Sequence, residues 1–374
     1  MARLGDVCTV VSGSTPKSNI PEYWDGDIKW ITPAELTEES YIITDSARHI
    51  TELGVQKTGL KPFPAGTVIL SSRAPIGKTA IAGCEMFCNQ GFKNLICSDQ
   101  VNNRYLYWFL ACNTDYLNSL GRGATFKEIS KGIVEDIEIP LPPVSKQVEI
   151  AEKFEKVSDL IALRKEQLAK LDQLVNSRFV ELFGHKGYPE DSLLNLCNVI
   201  DYRGKTPEKV ENGLPFITAK NVRMHQMNLE PREYISKETY DKVMVRGFPK
   251  EGDVVFTTEA PLGNVCRIPH FDTEFYIGQR IVTLQTEKLE PVYLEYALSS
   301  DDFKTKYMGK SSGSTVTGIR VRLLEQLTIP VPPMELQEQF AAFVEQTQKS
   351  KLAIQQSLDK LELLKNSLMQ EYFG

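Results

Sequence analysis

"IPLPPVSKQVEIAEKF", residues 139–154, returns in altered form 190 residues later as "IPVPPMELQEQFAAFV", residues 329–344. Each stretch follows mixed, strand-like sequence and opens a long segment without glycine or proline. Because proline cannot sit inside a central strand, the paired prolines mark a last strand leaving its domain. The segments behind them predict helices at 144–183 and 334–373, each about 60 Å long at about 1.5 Å per residue.

Other segments recur in the same order. The matched pairs are "FPAGTVILSSRAPIG" (63–77) with "FPKEGDVVFTTEAPLG" (248–263), "RYLYWFL" (104–110) with "VYLEYAL" (292–298), and "FVELFG" (179–184) with "MQEYFG" (369–374). Between these anchors the copies differ widely. Runs such as GTVIL and DVVFTT are typical of strands. The sequence therefore predicts an α+β chain of two tandem mixed α/β domains, at 1–143 and 185–333, with helical segments at 144–184 and 334–374.

The two predicted helices carry a narrow apolar row. Its members are Phe154, Val157, Ile161, Leu168, Leu171 and Val175 in the first helix, and Ile354, Leu358, Leu361 and Leu368 in the second. Steps of three, four and seven are typical of a coiled coil. The row predicts that the helices pair antiparallel and carry the domains at opposite ends, with pseudo-twofold symmetry. The alternative is that each helix packs only on its own domain.

Bulk composition is that of an ordinary globular protein, with 374 residues, 41% hydrophobic and 25% charged. Seven scattered cysteines without an export signal indicate reduced thiols and a cytoplasmic location. No apolar run reaches the roughly 18 residues of a membrane span. The net charge of −6 argues against a basic tail, so any DNA surface must be local or shared with a partner.

Motifs for catalysis or metal binding are not found. "SSRAPIGKT" (71–79) nearly spells a phosphate-binding loop, but Ser72 replaces its first glycine, and the second copy lacks the lysine and threonine. A basic loop carrying Arg73 and Lys78 near a DNA backbone is the better interpretation. Cys84 and Cys88 have no second close pair for zinc. The chain is therefore predicted not to be an enzyme and to hold no metal.

The duplicated order resembles the specificity subunit of type I restriction-modification systems, over the whole chain. The prolines at 142–143 and 332–333 are followed by Gln147 and Gln337, a lead-in typical of that family, and "SSRAPIG" and "GATFKEIS" look like parts of its target-recognition domains. The resemblance implies that each mixed domain is a target-recognition domain reading one half of a split, asymmetric DNA site. It also implies that the helices are spacers that set the distance between the half-sites.

The resemblance further implies the partners of the chain. Two methyltransferase subunits would dock on the helices, bring S-adenosylmethionine and methylate adenine. Nuclease-translocase subunits, using ATP and Mg, would join in some complexes, and this chain would bind double-stranded DNA but no cofactor and no membrane. The alternative from the residues alone is a two-headed coiled-coil adaptor that binds proteins. That adaptor would not explain why matched Gly/Ser/Thr loops carry different cations in the two halves.

Candidate DNA-binding residues lie in predicted loops, where Arg, Lys, Asn or Gln can reach base edges. "GRGATFKEIS" (121–130) and "KSSGSTVTGIRVR" (310–322) occupy the same place in the two copies, and their small residues suit phosphate contacts. The first set is Lys17, Arg73, Lys78, Lys93, Arg122, Thr125 and Lys127. The second set is Arg203, Lys205, Lys220, Arg223, Arg267, Arg280, Lys310, Ser312, Thr315 and Arg320. Any single cation has the alternative interpretation of an ordinary solvated surface charge.

Overall fold

A computed structural model describes residues 1–37, 39–73, 75–123, 127–202, 207–278, 280–312 and 317–374. The chain divides into two compact units, the first formed by residues 1–166 with 355–374 and the second by residues 167–354. Each unit therefore takes part of both long helices. The sequence predicted four segments in covalent order, and that division stays a prediction. Contacts instead group each mixed domain with helical segments from two places in the sequence.

The first unit is mixed α/β. Its strands are β1 (Ala2–Arg3), β2 (Cys8–Val11), β3 (Trp24–Ile31), β4 (Ile42–Ile43), β5 (Arg48–Ile50), β6 (Val68–Ser72), β7 (Ile76–Ala82), β8 (Phe87–Cys88), β9 (Asn94–Cys97) and β10 (Glu138–Ile139). Its helices are α1 (Leu4–Val7), α2 (Glu52–Thr58), α3 (Asn103–Cys112), α4 (Thr114–Ser119), α5 (Lys131–Glu135) and the start of α6 (Val144–Phe183).

The second unit repeats this composition. Its strands are β11 (Glu190–Ser192), β12 (Asn198–Asp201), β13 (Leu214–Ile217), β14 (Val222–Arg223), β15 (Gln226–Met227), β16 (Tyr234–Ile235), β17 (Val254–Thr257), β18 (Val265–Arg267), β19 (Tyr276–Ile277), β20 (Ile281–Gln285) and β21 (Thr328–Pro330). Its helices are α7 (Leu193–Leu196), α8 (Lys237–Val243), α9 (Pro291–Ser299), α10 (Asp301–Met308), α11 (Val321–Leu324) and the start of α12 (Met334–Phe373).

Four strands of the main sheet have the same order in the two units, and a fifth strand, β4, extends the sheet of the first unit. The main sheet runs β2-β9-β6-β7-β4 in the first and β12-β20-β17-β18 in the second. The smaller sheets run β5-β3-β8 and β16-β13-β19, and in both the central strand has one antiparallel and one parallel neighbour. The last strand of each unit pairs with the first, β10 with β1 and β21 with β11. The sequence repeat is therefore a repeat of the fold, and the predicted mixed α/β class with two long helices is confirmed.

Aromatic residues anchor the long helices within each unit. In the first unit Phe154 of α6 stacks on Phe373 of α12, with ring centroids 5.5 Å apart, and on Trp108 of α3, at 5.4 Å. In the second unit Phe183 of α6 contacts Phe340 of α12 at 5.6 Å. The start of α6 thus meets the end of α12 in one unit, and the end of α6 meets the start of α12 in the other.

The predicted apolar row faces inward along both helices. Phe154, Val157, Val175 and Leu358 are buried. The remaining members are partly buried, and they are Ile161, Leu168, Leu171, Ile354, Leu361 and Leu368. The predicted row is therefore the more buried side of each helix at these positions.

A buried glutamine explains the repeated lead-in of the first unit. The side-chain Oε1 of Gln147 accepts the backbone N–H of Asn102 at 2.8 Å. Its Nε2 donates to the carbonyls of Gln100 at 3.0 Å and Pro142 at 2.8 Å. Asn102 caps α3, so the glutamine fastens the start of α6 to the start of α3. Buried polar groups need such partners, and this one has three.

Gln337 repeats the arrangement in the second unit. Its Oε1 accepts the N–H of Glu290, the capping residue of α9, at 2.9 Å, and its Nε2 donates to the carbonyl of Pro332 at 2.8 Å. We refer to Gln147 and Gln337 with these partners as the glutamine clamps.

Across the described ranges, none of the helices has both the length and the hydrophobicity to cross a bilayer.

Candidate nucleic-acid interface

Two stretches singled out in the sequence meet in the first unit. The backbones of Arg122 and Glu128 exchange two hydrogen bonds, at 3.1 and 3.0 Å, and close the base of the loop GRGATFKEIS. Glu128 also forms a β-bridge with Arg73, and the N–H of Ile129 donates to the carbonyl of Ser72 at 3.0 Å. The loop base therefore rests on the end of β6. We name this junction the first corner.

A carboxylate gathers the cations of the first corner. Oε2 of Glu128 lies 3.6 Å from Nη1 of Arg73, and Oε1 lies 3.2 Å from Nζ of Lys93. Lys93 is only 7% exposed, and its ammonium also contacts the Ser72 hydroxyl at 3.3 Å. A buried ammonium requires such a partner. Sequence reasoning put Lys93 on the DNA surface, whereas the structure places it inside the unit, where it supports Glu128.

The second unit contains the same junction, which we name the second corner. Ser312 and Gly318 exchange backbone hydrogen bonds at 3.0 and 3.1 Å, and Gly318 forms a β-bridge with Glu259. The N–H of Ile319 donates to the carbonyl of Thr258 at 2.9 Å. The loop KSSGSTVTGIRVR therefore meets the end of β17 as its counterpart meets the end of β6.

Arg280 supplies the positive charge of the second corner. Its Nε lies 3.0 Å from Oε1 of Glu259, and its side chain is 51% exposed. Its φ of +69° belongs to a region that residues other than glycine seldom adopt. The carbonyl of Arg280 accepts the N–H of Thr258 at 2.8 Å, as the carbonyl of Gly91 accepts the N–H of Ser72 at 2.8 Å in the first unit. Arg280 and Gly91 therefore occupy corresponding positions.

The other cations of the first set are not paired with the Glu128 carboxylate in the contacts of the described residues, although the backbone of Arg122 bonds to that of Glu128. The ammonium of Lys78 donates to the carbonyl of Leu36 at 2.5 Å, which ties it to a neighbouring loop. The side chains of Lys17, Arg122 and Lys127 are exposed. Thr125 lies outside the described residues.

In the second set, Arg267 is engaged inside the unit. Its Nε donates at 2.7 Å to Glu295, a residue of α9 that is 2% exposed. Nδ1 of His225 lies 2.8 Å from the other oxygen of the same carboxylate. Arg267 therefore neutralises a buried charge. The exposed members are Lys220, Arg223, Lys310, Ser312 and Arg320, while Arg203, Lys205 and Thr315 lie outside the described residues.

Three glutamates position these arginines, and sequence reasoning missed all three: Glu128, Glu259 and Glu295. One signal was present in the sequence. The matched stretches SSRAPIG and TTEAPLG place Arg73 opposite Glu259, a reversal of charge at corresponding positions. Such a reversal indicates that a partner elsewhere has changed as well.

The described residues include all seven cysteines, and none of these forms a disulfide. Burial raises the pKa of the Cys88 thiol to about 12, which keeps it protonated and a poor metal ligand. In the same part of the chain, His, Cys, Asp and Glu form no group of three or more that could hold a metal.

Comparison with known proteins agrees with the duplicated fold. A family model described as "Type I restriction modification DNA specificity domain" matches residues 1–173 and again residues 189–364. The type I restriction enzyme MjaIX specificity subunit of Methanocaldococcus jannaschii is 28% identical over 395 residues, covering 98% of this chain and 90% of that protein.

Two solved structures share the fold. One, described as showing complex assembly and conformational transition of the type I R-M system, has a TM-score of 0.63 at 21% identity and covers 100% of this chain and 96% of its own. The other is the type I restriction-modification S subunit from M. genitalium, with a TM-score of 0.60 at 14% identity and coverage of 100% and 95%.

Proposed function

Since the chain belongs to the type I restriction-modification DNA specificity family, we propose that it reads a split DNA site, one half with each unit. Its role in that family is DNA recognition and not catalysis. The finer assignment, that each unit is a target-recognition domain for its own half-site, is supported by one observation above the others. The two corners share their backbone hydrogen bonds but present different side chains, as expected of two readers of different sequences.

The long helices are proposed to pair as an antiparallel coiled coil. Support comes from the narrow apolar row and from the aromatic contacts inside each unit, where the start of one helix meets the end of the other. Such pairing would relate the units by a pseudo-twofold axis. Because the DNA backbone has its own twofold symmetry, this arrangement suits two half-sites at a fixed separation.

Outward-facing apolar side chains on these helices are the proposed platform for methyltransferase subunits. Exposed leucines in the first unit include Leu160 and Leu163 of α6 and Leu363 and Leu364 of α12. Exposed apolar side chains that together form a patch are a common mark of a protein interface. We expect Leu163→Ser with Leu363→Ser to reduce co-purification with the methyltransferase. Leu53→Ser, at an exposed leucine of α2, is the matched control and should leave co-purification unchanged.

Cofactors are proposed to belong to the partners. The methyltransferase would bring S-adenosylmethionine, and a nuclease-translocase subunit, where one joins, would use ATP and Mg. The net charge of −6 suits a subunit that binds DNA strongly only when its partners add positive charge. Tight, specific binding of the isolated chain at physiological salt would contradict that part of the proposal.

The decisive experiment maps methylation in a host without adenine methylation. The chain is co-expressed with the methyltransferase encoded beside it, and N6-methyladenine is located across the genome. We expect a split, asymmetric motif, and we expect exchange of residues 1–143 for those of a relative to change one half only. A continuous motif, or co-purification without any modified base, would contradict the proposal. The alternative of a protein-binding adaptor is not supported by the family match.

A further inference from the structure

Corresponding positions in the two corners hold the same three residue types in a different order. The backbone hydrogen bonds of Ser72 and Thr258 with their neighbours fix the correspondence. The three positions are Arg73, Gly91 and Glu128 in the first unit, and Glu259, Arg280 and Gly318 in the second. Every position has changed, yet each corner keeps one arginine, one glutamate and one glycine. The ion pair has been retained although both of its members stand at other positions: the glutamate takes the place of Arg73, and the arginine takes the place of Gly91.

Both glycines are closely surrounded, and Gly318 leaves room for the glutamate of the second corner. A Cβ placed on Gly318 would lie 3.1 Å from the Cβ of Glu259 and 3.2 Å from the carbonyl of Thr258. A Cβ placed on Gly91 would lie 2.9 Å from Cγ of Pro33. Neither position therefore accepts an ordinary side chain without movement of its neighbours. The glutamate of the second corner fits because the residue beside it has no side chain.

The arginines of the two pairs remain accessible. Arg73 is 35% and Arg280 is 51% exposed, in contrast to the buried ammonium of Lys93. Arg73 faces Glu128 with Nη1, at 3.6 Å, which leaves its Nε and Nη2 for another partner, whereas Arg280 contacts Glu259 with Nε. Because a guanidinium carries five donors in a planar fork, its Nη edge can bind a base while Nε keeps the carboxylate. Arginine uses such an edge to contact O6 and N7 of guanine together.

The carboxylates also influence what kind of DNA contact is made. An arginine without a partner attracts any phosphate, which favours binding regardless of sequence. A glutamate at 3.0 Å lowers the net charge of the second corner and restricts the orientation of the guanidinium. Both effects favour base reading over phosphate binding. The uncommon backbone conformation of Arg280 favours a functional role for its side chain, because glycine would adopt the same conformation with less strain.

Building on the proposed function, we propose that Arg73 and Arg280 each read a guanine, one in each half-site, and that Glu128 and Glu259 orient them. The glutamates are positioning residues and contact no base. Lys93 belongs to the first corner only, where its buried ammonium forms an ion pair with Glu128. Each half-site must then contain at least one G·C pair.

The test is methylation mapping with single variants of the full chain beside its methyltransferase. Arg280→Lys should relax one G·C position in the second half-site, by roughly 5- to 150-fold in discrimination, and leave the other half and the spacing intact. Arg73→Lys should do the same in the first half-site. Glu259→Gln should relax the same position as Arg280→Lys, to a smaller degree. Arg232→Lys is the matched control, since Arg232 is an exposed arginine of the second unit paired with Glu230 at 2.9 Å.

Each outcome has a separate meaning. The absence of any split motif for the unchanged chain contradicts the proposed function itself. A split motif without a G·C pair in one half overturns the present inference, as does an Arg280→Lys variant that lowers methylation evenly at all sites. If Arg280→Lys fails to co-purify with the methyltransferase, Glu259→Gln takes over its role in the test, because that substitution preserves side-chain volume. An unchanged motif with Glu259→Gln removes the positioning role of that glutamate.

Discussion

Replacement of Gln147 by leucine tests whether the repeated lead-in holds the first unit together. The substitution keeps a side chain of similar size but removes both polar atoms of the Gln147 side chain. The N–H of Asn102 and the carbonyls of Gln100 and Pro142 would lose a partner whose side chain is fully buried, although these three residues are themselves partly buried or exposed. Because the leucine would face these groups with an apolar surface, the folded state carries part of the cost of their desolvation.

The size of the effect follows from the number of bonds. One unsatisfied buried group costs about 1–3 kcal/mol, so three give about 3–6 kcal/mol after allowance for the partial exposure of these groups. Gln337→Leu removes two such bonds in the second unit and should cost less, about 2–4 kcal/mol. Against a typical total stability of about 5–15 kcal/mol, either change is severe.

The assay is urea unfolding followed by tryptophan fluorescence. Trp24, Trp30 and Trp108, which are all the tryptophans of the chain, lie in the first unit, so their emission reports on that unit. With an m-value of about 2 kcal/mol/M, Gln147→Leu should lower the midpoint by about 1.5–3 M. Unfolding of the second unit is followed by circular dichroism.

The control is Gln356→Leu, at an exposed glutamine of α12 in the same unit. It should change the unfolding free energy by less than about 0.5 kcal/mol. If Gln147→Leu costs no more than this control, the clamp contributes nothing and the reasoning from buried hydrogen bonds is refuted. A loss below about 1 kcal/mol would mean that water satisfies the three backbone groups.

Three further changes probe other contacts. Phe154→Ala should destabilise the first unit by about 3–5 kcal/mol in the same fluorescence assay, because it empties a stacked aromatic site, whereas Leu163→Ala on the outer face should cost far less. Equal losses of stability for the two variants would show that the apolar row of the helix is not packed. Glu295→Gln should destabilise the second unit by about 2 kcal/mol in thermal unfolding, since Arg267 loses its carboxylate; an unchanged melting temperature would contradict this. Four residues inserted within 160–175 should widen the gap between methylated half-sites by about one or two base pairs, and an unchanged gap with retained activity would mean that the helix does not set the spacing.

The helices were the most predictable part of the fold. Their absence of glycine and proline, and the paired prolines before them, give bounds of 144–183 and 334–373, and the structure has Val144–Phe183 and Met334–Phe373. The aromatic partners of Phe154 were not predictable, because Trp108 and Phe373 are distant in sequence. Periodicity indicates which face of a helix is buried but not what covers it.

The site was predictable only in outline. Matched loops identified the two corners, and Arg73 and Arg280 were among the candidates. The burial of Lys93 and the engagement of Arg267 depend on Glu128 and Glu295, which lie 35 and 28 residues away along the chain. No local sequence pattern predicts an ion pair between residues so far apart. The one indication in the sequence was the reversal of charge between Arg73 and Glu259 when the two copies are compared.

The glutamine clamps bear on how far the two halves of this chain can diverge. Gln147 and Gln337 bond only to main-chain atoms, the amides at the start of α3 and α9 and the carbonyls beside them. Main-chain atoms are the same whatever side chain is attached, so most mutations around a clamp leave its bonds in place. Neighbouring positions can therefore drift, and acquire new DNA preferences, without loosening the attachment of the domain to its helix. A single glutamine side chain at each attachment therefore leaves the rest of the unit free to change.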